Sequence, residues 1–265
     1  MSKKKKQSNV WDFLQNMGKT FMLPVALLAF MGLILGIGSS FTSESMIDVF
    51  PFLENNMIQL ALKFLATVGG FAFTYLPVLF AIAIPIGLVK HEKGVAAFSG
   101  FVGYTVMNLT INFYLTETHQ LADTDKLQQA GQSMVLGIQT LEMGVLGGII
   151  SGLIVYKLHN KFSYTQLPDS FAFFSGSRFV PIVTSLALAV VGLIIPIIWP
   201  FFGMIIGSVG ALIQHSGVFG PFLFGAGERL LLPFGLHHIL VSMVRFTEVG
   251  GHSIIEGKDV FGALN

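Results

Sequence analysis

The sequence predicts an all-α integral membrane protein: a multi-span helical bundle of about five spans plus a broken sixth segment, with a cytoplasmic N-terminus. Three observations carry that prediction. The composition is too apolar for a soluble domain. Of 265 residues 53% are hydrophobic and 11% charged, and mean hydropathy is +0.74, where soluble domains carry about 25% charged residues. The apolar residues form runs near the ~20 that a helix needs to cross the hydrocarbon core. The polar connections between those runs alternate in charge, as the positive-inside rule requires.

The elements follow in order. Residues 1–20 form a basic tail with Lys3, Lys4, Lys5, Lys6 and Lys19. Polar residues separate its lysine run from the first apolar run, and no small-residue cleavage site is evident, so a retained tail is expected rather than a signal peptide. Phe21 to Ser39 is the first span, with Pro24 near its start. Ile58 to Val89 is the second. It is longer than one crossing needs and contains Gly69, Gly70, Pro77 and Pro85, so a kink or a split is expected. Val95 to Leu115 is the third span and Leu141 to Leu158 the fourth. Phe179 to about Gly217 is the fifth. Its length and its prolines, Pro196 and Pro200, predict a kink or a portion outside the core. The sixth stretch, Phe219 to Phe246, is broken by Gly225, Gly227, Pro233 and Gly235 and carries charges.

Loop charge sets the orientation. The tail, the loop with Lys90 and Lys93, and the loop with Lys157, Lys161 and Arg178 together hold ten basic residues. The alternate loops hold Glu44, Asp48, Glu54, Glu117, Asp123 and Asp125, and one basic residue, Lys126. The basic side is expected to be cytoplasmic.

Other classes fall away. With no cysteine there is no disulfide, thiolate nucleophile or Cys-ligated metal. No GxxxxGK[ST], HExxH or EF-hand pattern occurs, so neither a metal nor a cofactor is expected. There is no basic stripe beyond the tail and no nucleic-acid partner is expected. Asn108-Leu109-Thr110 matches a glycosylation acceptor but lies inside the third span. Gly144, Gly148 and Gly152 share one helix face and predict close packing against another helix. Generic bundle packing suffices for them, and a homodimer interface is the second reading. Glu142 is expected at the N-terminus of span four, where the helix dipole favours an acid. Arg178 reads as a cytoplasmic anchor, with an Asp169 ion pair as an alternative. Arg245 and Glu248 are expected near a membrane surface.

The segment that carries chemistry is Gly225 to His238. It places Glu228, Arg229, His237 and His238 in apolar surroundings, around a break at Pro233 and Gly235. Ionisable groups at membrane depth are costly and face a cavity or each other. Broken helices there are tolerated where they line a water-filled site. A sugar suits such a site. Arg229 offers a fork of donors and His237 can donate or accept, while Phe234 could pack on a sugar face. Neighbouring residues such as His237 and His238 diverge by about 100° on a helix, so one of the two is expected to be structural. A proton relay through Glu228 or a histidine fits the same residues. So does a purely structural reading, with Glu228 and Arg229 paired or snorkelling.

At this segment a resemblance enters. Glu228-Arg229-Leu-Leu-Leu-Pro-Phe-Gly-Leu-His237-His238 resembles the signature of the membrane IIC component of bacterial sugar phosphotransferase systems, glucose superfamily. Gly18 to Leu28, Gly94 to Phe98 and Phe173 to Ile182 are similar to that family too, in the family's order and closest to its maltose- and glucose-specific branch. The resemblance implies a fold of about ten spans, half scaffold and homodimer interface, half sugar carrier. It implies uptake of maltose or glucose through the plasma membrane, coupled to phosphorylation at a 6-hydroxyl. The phosphoryl donor would be a phosphocysteine on IIB, charged through IIA, HPr and enzyme I. It also implies that Arg229 and His237 contact the sugar.

Two departures matter. The family's acidic residue in a Gly-Ile-Thr-Glu motif has no counterpart, and the IIB cysteine is absent. The expectation is therefore a scaffold at residues 21–217 and the start of a sugar-carrying part at 218–265, in a shortened or split subunit inactive alone. An ion-coupled or facilitative sugar transporter, or an inactive scaffold, is the alternative.

Overall fold

The computed structural model describes residues 2–127, 130–231, 252–255 and 258–261. Helix α1 runs unbroken from Ser2 to Ser40, so the basic tail is helical and continuous with the first span. Pro24 sits inside it. A short α2 (Glu44–Val49) and a 3-10 turn at Pro51–Glu54 lead to α3 (Asn56–Thr74).

The long second run is split. Helix α3 ends at Thr74, and α4 (Leu76–Leu88) begins one residue later with Pro77 in its first turn. Proline has no N–H to give to the preceding turn, so the helix restarts there. Both halves lie antiparallel to α1. Gly38 of α1 abuts Leu62 and Ala66, Gly69 abuts Leu35, and Gly87 abuts Thr20. The Phe21 and Phe80 rings meet edge to face at 5.0 Å. The two halves thus trace one path along α1, with the break at Tyr75.

Helix α5 (Lys93–Glu117) is the centre of the bundle. Its apolar window is 44% buried, against 11% for the windows of α1 and α3. Helix α6 (Gly144–Phe162) lies parallel to α4, with Gly148 against the Pro77 carbonyl and Gly152 against Ile84. This is where the glycine spacing is used: two of its three members let α6 approach α4 within the same chain. Helix α7 (Phe179–His215) runs parallel to α5, with Gly103 against Thr184 and Leu188, and Gly192 against Met107 and Thr110. The interior is a cluster of Val78, Ala81, Tyr104, Met107, Ile111, Leu115, Met143, Val155 and Leu188.

Two fully buried polar side chains of α5 are held by hydrogen bonds to their own helix. Ser99 donates to the Val95 carbonyl and Asn108 Nδ2 to that of Tyr104, each at 2.8 Å. Asn108 is 0% exposed, which removes it as a glycosylation acceptor.

Among the described residues, four helices are long and apolar enough to cross a membrane, at Gln15–Ser40, Asn56–Thr74, Lys93–Glu117 and Gly176–Phe201. Helix α6 is not among them, because Lys157, His159, Asn160 and Lys161 end it. Helix α7 has 37 residues, about 55 Å at 1.5 Å per residue. That exceeds a ~30 Å core, so part of it extends past one crossing. It stays one helix through Pro196 and Pro200.

The charged loops segregate. The Phe13 and Tyr156 rings lie 6.2 Å apart, and those of Phe162 and Phe179 5.9 Å apart. His159 Nε2 donates to the His91 carbonyl at 3.0 Å. These contacts gather the tail and the Lys90 and Arg178 loops at one end of the bundle. The acidic connections lie at the other.

That second end also holds an element absent from the all-α expectation. Strands β1 (Gln132–Val135) and β2 (Ile138–Leu141) form an antiparallel hairpin with Val135 opposite Ile138. Its turn residues, Leu136 and Gly137, have φ of 53° and 77°, the left-handed geometry of a tight hairpin. Gln132 Oε1 accepts from Ala122 N and Gln139 Nε2, and Gln132 Nε2 donates to the Gln120 carbonyl. Asn112 Nδ2 of α5 donates to the Gln139 carbonyl at 2.8 Å, which fixes the hairpin on the bundle. A second hairpin pairs β3 (His252–Ile255) with β4 (Lys258–Phe261).

Candidate functional site

The charged segment begins on α8 (Gly220–Leu231), a 12-residue helix packed chiefly against α7. A 3-10 turn at Gly217–Phe219 joins it to α7, with Gly217 at φ +55°. A glycine is needed there because L side chains disfavour that region.

Glu228 and Arg229 occupy the last turn of α8. Glu228 is half-buried and Arg229 exposed. The guanidinium lies where the carbonyl end of the helix dipole favours a cation, while the carboxylate gains nothing from that dipole. As neighbours on a helix the two side chains diverge by about 100°. They therefore present two different directions. Arg229 carries a fork of donors suited to a polyhydroxyl or carboxylate ligand.

The other members of the expected constellation, His237 and His238, lie outside the described residues. So do Pro233, Phe234, Gly235, Arg245 and Glu248. No group of three or more His, Asp or Glu suited to a metal occurs among the described residues.

Residues outside this segment are placed clearly. Glu142 Oε1 accepts from Gly144 N at 3.1 Å, so it caps the start of α6 as expected of an acid there. Arg178 donates to the Phe173 carbonyl at 3.3 Å and lies over the Phe173 ring at 5.2 Å, which favours the anchor reading over an Asp169 ion pair.

Sequence reasoning passed over two features. Lys63 stands exposed on α3, inside an apolar run where the loop count did not include it. His159 is 2% exposed, with Nδ1 unpaired and Nε2 holding the His91 carbonyl. The signal for it was a titratable residue one turn before the end of an apolar helix.

Comparison with known proteins bears on the whole chain. The family model described as "Phosphotransferase system, EIIC" matches residues 18–265. The chain is 53% identical over 257 residues to the PTS system maltose-specific EIICB component of Escherichia coli, covering 96% of this chain and 48% of that protein. It is 40% identical over 251 residues to the PTS system glucose-specific EIICBA component of Staphylococcus saprophyticus, covering 94% of this chain and 36% of that protein. The chain thus spans about half the length of the first relative and about a third of the second. The match runs through helices α1 to α8 and the Glu228–His238 segment alike. The chain belongs to the phosphotransferase system EIIC family.

Proposed function

We propose that this chain forms the membrane part of a maltose- or glucose-translocating permease of the phosphotransferase system, in the bacterial inner membrane. The observation that carries the proposal is the 53% identity along nearly the whole chain to a maltose-specific relative. Four apolar helices of membrane-crossing length supply the physical counterpart. Family membership does not favour the ion-coupled or facilitative alternative. In this reading residues 21–217 are the scaffold and 218–265 belong to the sugar-carrying part. The basic end faces the cytoplasm, where IIB and IIA act, with HPr and enzyme I upstream and a second copy as dimer partner.

The chemistry follows from what the residues offer. Arg229, with Glu228, His237 and His238 as further candidates, would hold sugar hydroxyls through charge-assisted hydrogen bonds, which are about twice as strong as neutral ones. The resemblance to the family implies a phosphocysteine of IIB as the phosphoryl donor, and this chain has no cysteine of its own to take that role. Transfer is expected only when IIB is present.

The test uses membrane vesicles holding this chain together with the remaining system components. External maltose or glucose should appear inside as its phosphate, and only with phosphoenolpyruvate. Uptake of unmodified sugar, driven by an ion gradient and indifferent to the phosphoryl donor, would sink the reading.

A further inference from the structure

The Phe173–Ile182 motif is not used by the sugar reading, and it builds one wall of an open groove of about 490 Å³ at the basic end of the bundle. The floor is Gly94, Val95 and Phe98 of α5. The walls are Phe173 and Phe174 of the preceding 3-10 turn and Pro181 and Ile182 of α7, with Arg178 at the rim. Phe98 is 59% exposed and Phe173 72%. Above the groove the exposed face of α7 continues through Ile182, Leu186 and Val190, spaced as one helical stripe.

The rim is cationic. Arg178 is exposed and uses its described donor capacity on one long bond to the Phe173 carbonyl. Lys93 and Lys161 are exposed on the neighbouring helix ends, and Lys161 lies 5.2 Å from the Phe162 ring, which in turn meets Phe179. Glu92, at the N-cap of α5 and exposed beside Lys93, offsets that lysine, so Arg178 is the cation that lines the groove itself. An apolar trough running along the bundle, closed at its polar end by cations, matches a two-part ligand: an acyl chain with an anionic headgroup.

We propose that this groove binds one anionic phospholipid, its acyl chain against Phe98, Phe174 and Ile182 and its phosphate on Arg178. Charge complementarity at the rim selects this occupant over a neutral lipid. Polybasic membrane-surface segments attract anionic lipids at the headgroup level, and the fork geometry of arginine suits a phosphate better than a lysine does. The inference stands apart from the sugar reading, since a failed transport assay leaves lipid binding unaffected.

The test is native mass spectrometry of the whole chain in detergent, titrated with palmitoyl-oleoyl phosphatidylglycerol or phosphatidylcholine. Phosphatidylglycerol should be retained about fivefold better, the ~1 kcal/mol that one basic residue contributes toward a net-anionic headgroup over one whose phosphate is offset by a choline ammonium. Arg178→Gln should abolish that preference, Arg178→Lys should keep part of it, and Lys126→Gln at the opposite end should change nothing. If Arg178→Gln fails to fold, Ile182→Trp in the Arg178 background serves instead, and brominated phosphatidylglycerol should quench its fluorescence more than brominated phosphatidylcholine. Equal retention or equal quenching by the two lipids overturns the proposal. Competition by inorganic phosphate at equal concentration would mean a bare anion site and overturns it too. The chain has no native cysteine, so Ile182→Cys gives a unique thiol there. Efficient disulfide dimers of that variant in membranes would mean that a second copy covers the groove.

Discussion

Helices α5 and α8 are both apolar in sequence, yet they are used in opposite ways. Helix α5 buries Ala96, Ser99, Gly100, Gly103, Tyr104, Met107, Asn108, Ile111 and Leu115 and meets α4, α6 and α7. The described residues of α8 pack on α7 and keep Phe222 72% exposed. Two of the candidates, Glu228 and Arg229, stand on α8, while α5 carries no charge between Lys93 and Glu117. Under the proposed sugar reading, close packing and ligand chemistry occupy separate elements of this chain. Residues that hold α5 should therefore govern stability, and residues on α8 should govern ligand affinity with little effect on stability.

The sharpest way to break that division is at the α4–α6 contact. Gly148→Val would drive a branched side chain into the Pro77 carbonyl, a backbone atom that cannot rotate away. Overpacking costs about 1–3 kcal/mol, and more when backbone must move. We expect loss of the monodisperse peak in fluorescence-detected size exclusion. A Gly148→Val protein as heat-stable as the parent would mean that α4 and α6 do not meet as described.

Gln132→Leu comes next. It leaves Ala122 N and the Gln120 carbonyl without their partner at a position 4% exposed, while Gln139 Nε2 keeps the Ala122 carbonyl. An unsatisfied buried group costs about 1–3 kcal/mol, so a lower thermal midpoint in detergent is expected. Unchanged stability would show that the hairpin is not anchored through this residue.

On α8 the expected readout is different. Arg229→Ala should weaken sugar binding by about 1.5–3 kcal/mol, roughly 10–100-fold, while thermal stability shifts by less than about 0.5 kcal/mol, as for other surface sites. Isothermal titration paired with a melting curve separates the two. A large stability loss with intact binding would reverse the roles assigned to α5 and α8. The smallest effect is expected at Lys63→Gln, an exposed position on α3, within about 0.5 kcal/mol on the same melting assay.

Much of this architecture was legible because membrane physics writes itself into composition. A helix must bring about 20 apolar residues to satisfy its backbone inside lipid, so the runs at Phe21, Ile58, Val95 and Phe179 announced α1, the α3–α4 pair, α5 and α7. The split near Pro77 was readable because proline cannot donate to the preceding turn. The β1–β2 hairpin was not readable. Its turn places Leu136 at φ 53°, where sequence patterns lead one to look for Asn or Gly. The candidate site was legible as residue types, Glu228, Arg229, His237 and His238, because charge in an apolar run stands out. Its geometry was not, since two adjacent residues share a position in sequence but not a direction on α8.

The sequence by itself determined the membrane class, the charge asymmetry between the two ends and the break in the second run. Each depends on local chemistry alone: hydropathy, loop charge and a missing N–H. Only the tertiary structure decided which helix is central, which partner each glycine faces, and that Arg178 borders an open groove. Those depend on which surfaces meet, and the Gly148 spacing would have served a second chain as readily as it serves α4.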